Sequence, residues 1–174
     1  LIMHTPIKEQ WKITVVDTGV NSQTGARIKH LEPYLNNDLF MMTYGDGVAN
    51  VNIDKLIKFH RSHGKLATVT GVHPSARFGE ITIKNDVAVN FWEKPQLREG
   101  YVNGGYFVLS KNILKLLNDD ENLIFEKDVL PEIVKKRELA VYRHEGYWQC
   151  MDTIRDLEIL QEEWAKDKPQ WKVW

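Results

Sequence analysis

The run Leu39-Phe40-Met41-Met42-Thr43-Tyr44-Gly45-Asp46-Gly47 limits the folds open to this chain more than any other stretch. An apolar run ending in Gly-Asp-Gly reads as a buried strand of a parallel sheet, apolar on both faces. The glycines permit a sharp turn at its carboxyl end and the close approach of a ligand. Asp46 then projects into the crevice where open α/β sheets bind ligands. A carboxylate there suits a hard cation such as Mg²⁺, which carries phosphates. A plain Asp-Gly turn is the other reading.

The chain around this run is long enough, at 174 residues, for one domain with a real core. Its 43% hydrophobic and 27% charged residues are those of an ordinary globular protein. A formal net charge of -1 provides no field that would draw nucleic acid or an anionic membrane. The single cysteine, Cys150, excludes an internal disulfide and fits a reducing cytoplasm. No apolar run approaches a membrane span, and the start, Leu1-Ile2-Met3-His4-Thr5-Pro6, lacks the pattern of a signal peptide. It also lacks an initiator Met, so the expectation is a fragment of something longer.

In chain order, Trp11 to Asp17 is β-branched and apolar and is expected to be a strand. Thr18 to Ala26 is a polar loop, followed by a short helix from Arg27 to Leu35 with Ile28, Leu31 and Leu35 on one side. After the Gly-Asp-Gly turn, Asn52 caps a helix from Ile53 to His63, which Gly64 ends. Leu66 to Val72 is a strand; strand, helix and strand in that order imply a right-handed parallel unit. Glu80 to Lys84 and Val87 to Trp92 form a hairpin around Asn85-Asp86. Tyr101 to Ser110 is a strand interrupted by Gly104-Gly105, a sign of close approach by a ligand or other backbone. Lys111 to Asn118 is helical, with Ile113, Leu116 and Leu117 inward. Ile124 to Arg137 is helical with a break at Pro131, and Glu138 to Arg143 is a short strand. Asp152-Thr153 opens a last helix, with Ile154, Leu157, Leu160, Gln161 and Trp164 near one face. Two tryptophans, Trp171 and Trp174, need a surface to cover them. The fold class is α/β: a Rossmann-like mixed, mostly parallel sheet flanked by helices, with a small antiparallel insertion.

The chemistry-bearing residues fall at strand ends. Asp46 and Asp152 meet at one sheet edge if their strands point the same way. Two carboxylates in one site repel unless a cation or proton lies between them, so a divalent metal bridging phosphate oxygens is the economical reading. For Asp152 the competing role is a helix N-cap. Pro95 extends the chain at Lys94, whose ammonium would be a point-charge binder for phosphate, and Glu93 would accept from sugar hydroxyls. Asn103-Gly104-Gly105 exposes backbone groups beside an amide that donates and accepts, which suits a polyol. Arg77-Phe78-Gly79 offers a further contact, and Ser22, Thr24 and Arg27 offer hydroxyls and a donor fork to a nucleobase edge. Each also reads as plain turn or solvated loop. His60 and His63 lie one turn apart on a helix but lack a third metal ligand, so a surface pair is expected. Cys150, in an apolar run, is expected to be buried and inert. No covalent nucleophile with a paired base is visible.

Taken in order, Val16-Asp17-Thr18-Gly19, Thr24-Gly25-Ala26-Arg27, Thr43-Tyr44-Gly45-Asp46-Gly47, Glu93-Lys94-Pro95, Val102-Asn103-Gly104-Gly105-Tyr106-Phe107-Val108-Leu109 and Trp148-Gln149-Cys150-Met151-Asp152-Thr153 resemble the sugar-nucleotidyltransferase family, in its cytidylyl branch. The resemblance runs over nearly the whole chain. It implies the reaction of CTP with α-D-glucose 1-phosphate to give CDP-glucose and pyrophosphate. It implies Mg²⁺ on Asp46 and Asp152 and Lys94 on the sugar phosphate. Glu93, Asn103, Gly104 and Arg77 would surround the glucose, and Ser22, Arg27 and Gly45 would lie near the cytidine, with Thr18 among the substrate-binding residues. It also implies a homo-oligomer, with a hexamer as one expected size, to which the tail tryptophans and the last helix would contribute; the charge and the lone cysteine give the expectation of a cytoplasmic protein with no nucleic-acid or membrane partner. The family's opening Gly-Gly-x-Gly-Thr-Arg loop, which wraps the triphosphate, matches nothing here. The expectation is therefore a single N-terminally truncated domain over residues 1–174 that does not turn over alone. A uridylyl or thymidylyl enzyme, a non-catalytic nucleotide-sugar-binding subunit and a metal-dependent glycosyltransferase stand as alternatives. The last usually carries two acids one residue apart, where this chain has only Asp46.

Overall fold

The computed structural model describes residues 11–74, 80–92 and 100–173. In chain order the helices are α1 (Thr24–His30), α2 (Ile53–His63), α3 (Leu130–Lys135) and α4 (Ile154–Trp164). The strands are β1 (Leu39–Thr43), β2 (Gly47–Ala49), β3 (Ala67–Val72), β4 (Glu80–Lys84), β5 (Val87–Trp92), β6 (Val102–Ser110), β7 (Leu139–His144) and β8 (Trp148–Cys150). The main sheet has the order β1-β6-β3-β7. β6 runs antiparallel to both β1 and β3, and β3 pairs with β7 in parallel. Thus β1, β3 and β7 point one way and β6 the other. The unit β1–α2–β3 is parallel as expected, but with β6 inserted between its strands.

Alternation along β6 builds a core on each face of this sheet. Phe107 and Leu109 face one side, against Ile113, Leu114, Leu117, Phe125, Val129 and Ile133. Val108 faces the other, against Val51 and Leu56 of the α2 layer. All six residues of β3 are buried, as a central strand covered on both faces requires. Asn52 caps α2 by accepting from the Lys55 N–H at 2.9 Å, and Gly64 ends it at a φ of 65°. The hairpin β4–β5 turns at Asn85 and Asp86, both at positive φ, as a two-residue turn demands.

Several expectations are corrected. Residues 11–19 form no regular element, and Trp11, Ile13 and Val15 are exposed, Val15 by 90%. β-propensity is realised only where a neighbouring strand satisfies the backbone, and none of the described strands pairs with this segment. β1 is an edge strand among the described residues and is half-buried, not fully covered. After β6 the chain makes a 3₁₀ turn over Lys111–Leu116, which sends Leu114 inward in place of Leu116. The break near Pro131 is a wide π-type turn, Phe125–Val129, feeding α3. On α4, Ile154, Leu157 and Trp164 are exposed while Glu163 is 5% exposed. Glu163 is held there by Lys166 and by the Gln170 N–H at 2.9 Å. The tail finds cover, with Trp171 stacked on Trp164 at 6.2 Å and against Tyr147 at 5.7 Å. Trp174 lies outside the described residues. Among the described residues no helix is long and apolar enough to cross a membrane.

The histidine pair is a clasp between α2 and the sheet. His60 Nδ1 and His63 Nε2 reach the same Thr68 hydroxyl, at 2.9 and 2.8 Å. Burial holds both imidazoles below the ordinary 6.5, helped by Arg61 and the neighbouring ring at His60 and by Lys65 at His63, with Glu138 opposing at His63. A group with a lower pKa in the folded state binds fewer protons than in the unfolded chain. Stability is therefore fully present above 6.5 and falls as pH drops below it. Urea unfolding midpoints should decline from about pH 7.5 to about pH 5.5, and more steeply than in a His60→Gln/His63→Gln variant. Equal slopes in the two proteins would contradict this.

Candidate functional site

The carboxyl ends of β1, β3 and β7 and the start of β6 share one edge of the sheet, since Thr43 pairs with Tyr106, and Val72 with both Val102 and His144. A two-stranded ribbon stands at this edge, β2 pairing antiparallel with β8. The Met151 N–H donates to the Asp46 carbonyl at 2.8 Å. Asp46 and Asp152, 106 positions apart in the sequence, thereby sit at the same end of the ribbon, and both are exposed. The capping role falls to Thr153, which forms a reciprocal box with Asp156, so the Asp152 carboxylate is not spent on the helix. Its recorded partner is the Cys150 thiol at 3.3 Å. Among the described residues no group of three or more His, Cys, Asp or Glu could hold a metal. Two exposed carboxylates are nevertheless the donor set that Mg²⁺ takes when waters and substrate phosphates complete its shell.

The ribbon is pinned to β6. The Trp148 indole donates to the Gly104 carbonyl at 2.9 Å, and the Tyr106 hydroxyl donates to the Gly47 carbonyl at 3.1 Å. The two glycines of β6 answer to crowding by the protein itself. A Cβ on Gly104 would lie 2.6 Å from Val72, and one on Gly105, at a φ of 78°, would lie 2.8 Å from the Tyr44 ring. The expected exposed backbone at Asn103-Gly104-Gly105 is corrected accordingly. Gly104 and Gly105 are buried and their carbonyls are taken by Trp148 and Tyr44, and what faces outward is the Asn103 side chain. Its Nδ2 donates to the Tyr44 hydroxyl at 3.0 Å and its Oδ1 accepts from the Gly105 N–H at 2.9 Å. The Tyr44 hydroxyl donates to Glu126 at 2.7 Å. Burial first, and the Glu126 bond second, push this phenol well above its ordinary pKa, so it keeps its proton. Gly45 needs no left-handed backbone, and a Cβ there would meet nothing within 4 Å, so the space beside it is open.

The loop from Thr18 to Arg27 is knotted to the segment before the π-type turn. Ser22 is buried, and its hydroxyl bonds to Glu121 and the Thr18 carbonyl. It is not held out to a ligand. Arg27 is exposed, with Nη1 on the Thr18 hydroxyl at 2.7 Å and Nη2 on the Val20 carbonyl at 3.3 Å. Thr24 bonds to Glu126 at 2.7 Å. Arg77, Glu93 and Lys94 lie outside the described residues.

A model described as nucleotidyl transferase matches residues 8–166. The chain belongs to the nucleotidyl transferase family. It is 42% identical over 166 residues to the "probable glucose-1-phosphate cytidylyltransferase" of Bacillus subtilis (strain 168), covering 95% of this chain and 65% of that protein. It is 40% identical over 173 residues to the glucose-1-phosphate cytidylyltransferase of Salmonella typhimurium, covering 99% of this chain and 67% of that protein. The chain thus spans about two thirds of the length of these relatives. Its fold is similar to the crystal structure of HddC from Yersinia pseudotuberculosis, with a TM-score of 0.60 at 23% identity over 82% of this chain and 63% of that one.

Set in this family, the site contains residues that local sequence does not single out. Tyr44 lies inside the opening motif, but nothing there marks its hydroxyl as a link to Asn103. Glu126 sits in a helical stretch with no pattern signal, and Trp148 reads as core. Only pairing of distant strands reveals all three. Cys150 offers a direct check of the ribbon geometry. Burial first, then the Asp152 carboxylate, push its thiol up to about 11, so it stays protonated and inert at neutral pH. As the only cysteine, its alkylation rate against pH should show an inflection near 11, and Asp152→Asn should move that inflection down toward 9.0. An unmoved inflection would separate the two side chains in solution.

Proposed function

We propose that the protein carrying this chain transfers a cytidylyl group from CTP to α-D-glucose 1-phosphate, releasing pyrophosphate and forming CDP-glucose. The observation that carries this reading is the β2–β8 ribbon, which sets Asp46 and Asp152 at one end, at the sheet edge that also carries the outward-facing amide of Asn103. The two cytidylyltransferase relatives support the choice of nucleotide and sugar phosphate. A sugar-phosphate oxygen attacks the α-phosphorus in line, so the protein supplies position and charge, not a covalent nucleophile. Mg²⁺ on Asp46 and Asp152 would neutralise charge on the phosphates. Lys94 would hold the sugar phosphate, with Glu93, Asn103 and Arg77 around the glucose and Gly104 packed behind Asn103 against Val72. Arg27, Gly45, Thr18 and Ser22 would line the cytidine side, Ser22 by shaping the loop through Glu121.

The triphosphate needs a cradle of backbone N–H groups and cations. The 174 residues contain no Gly-Gly-x-Gly-Thr-Arg loop, so in this reading the isolated chain gives no turnover. Self-association belongs to the same reading, supported by the exposed Ile154, Leu157 and Trp164 on α4. Light scattering of the full-length gene product should give a multiple of the protomer mass.

The test is a nucleotide panel. The full-length gene product with Mg²⁺, glucose 1-phosphate and CTP, UTP or dTTP should form its nucleotide sugar fastest from CTP. Preference for UTP or dTTP would move the assignment to another branch of the family, and no product from any of them would favour a binding subunit. Asp46→Asn should lower Mg²⁺-dependent turnover by at least about a hundredfold while thermal unfolding stays unchanged. Undiminished turnover would remove Asp46 from the metal.

A further inference from the structure

One carboxylate lies behind the site and touches both of its flanks. Glu126 Oε2 accepts from the Thr24 hydroxyl and Oε1 from the Tyr44 hydroxyl, each at 2.7 Å. Thr24 comes from the first turn of α1, which follows the loop of Thr18, Ser22 and Arg27. Tyr44 comes from the end of β1, two residues before Asp46. Glu126 itself is held by its neighbour. The Phe125 ring is fully buried, edge-on to Phe107 at 6.0 Å, and the Phe125 N–H donates to Thr24 at 2.9 Å. The carboxylate therefore projects from a rigid point on the π-type turn, a wide turn found frequently at functional sites.

The direction of every proton in this chain of bonds follows from the carboxylate. An ionised carboxylate only accepts, so both hydroxyls must donate to it. With its proton committed to Glu126, the Tyr44 oxygen must accept from its next neighbour, and the Asn103 amide nitrogen is that donor. The Gly105 N–H, a donor only, takes Asn103 Oδ1 as its acceptor, and the two bonds act together. The amide is thus held in one of its two flips, and it retains one N–H and one oxygen lone pair for a ligand. That pair is the complement of a sugar hydroxyl, which both donates and accepts.

We propose that Glu126 is a positioning residue: through the Tyr44 hydroxyl it sets the Asn103 amide in the orientation that reads a sugar hydroxyl, and through Thr24 it ties the nucleotide-side helix α1 to the same point. This rests on the cytidylyl-transfer reading of the site. Glu126 touches no substrate; it acts through the order of donors and acceptors. A carboxamide at this position has one accepting oxygen and one donating nitrogen, so it cannot accept from both hydroxyls at once. If the Gln nitrogen faces Tyr44, it competes with Asn103 for the phenol oxygen and releases the amide.

The test is steady-state kinetics on the full-length gene product. Glu126→Gln should raise KM for glucose 1-phosphate about tenfold with kcat changed less than about threefold. Its preference for glucose 1-phosphate over galactose 1-phosphate should fall by a similar factor. Tyr44→Phe, which removes the same link without altering charge, should match it, and the double variant should be no worse than either single one. A general loss of folded enzyme would lower apparent kcat and leave KM and sugar preference alone. Unchanged KM and sugar preference, or additive effects in the double variant, would overturn the proposal. The link is also read without turnover, by the Asn103 side-chain amide protons in the NMR spectrum of the full-length gene product. In wild type the Asn103 proton donated to Tyr44 should be displaced from its position in a free amide, and Glu126→Gln should return it toward that position. Unchanged Asn103 protons would overturn the proposal even in a protein that makes CDP-glucose. A returned proton in a protein that makes no nucleotide sugar would support the link while the functional reading fails.

Discussion

The structure depends on the two-faced burial of β6. This strand lies between β1 and β3, opposite in direction to both, and buries three consecutive side chains on its two faces. Phe107 and Leu109 close one layer and Val108 the other, all fully buried. Fully burying one such side chain is worth about 1.5–3 kcal/mol. A slip of one residue in the pairing of β6 would exchange its two faces and put Phe107 into the α2 layer. The register of β6 against β1 and β3 is therefore strongly determined, and with it the position of Asn103, Gly104 and Tyr106 at the end of the strand.

That register is what turns a core strand into one wall of a site. The same strand that buries Phe107 presents Asn103 four residues earlier, where the chain passes out of the core at the sheet edge. Gly104 and Gly105 let Val72 and the Tyr44 ring approach closely enough to pack this edge. Trp148 and Tyr106 then hold the ribbon that carries Asp46 and Asp152. The carboxylates remain exposed while the backbone that positions them is bonded on both sides.

Much of the fold was legible because it rests on local rules. The α2 cap at Asn52 and stop at Gly64, the Asn85-Asp86 hairpin and the apolar β3 each follow from one or two residues whose backbone preferences leave few options. Asp46 and Asp152 were legible as a pair because each follows an apolar strand. The errors lie where a second element decides. Residues 11–17 have strand composition but pair with none of the described strands, and α4 turns Glu163 inward because Lys166 and Gln170 satisfy its carboxylate.

Order and local geometry were thus set by the chain alone where one or two residues decide: the cap and stop of α2, the β4–β5 turn, the apolar β3 and the motifs that mark the family. Tertiary structure alone decided which strands became neighbours, that β6 reverses the sheet between β1 and β3, and that Glu126, Tyr44 and Asn103 form one connected line. The physical reason is range. Backbone preference and capping act over a few residues, whereas a hydrogen bond between positions 44 and 126 exists only after the core has brought them together.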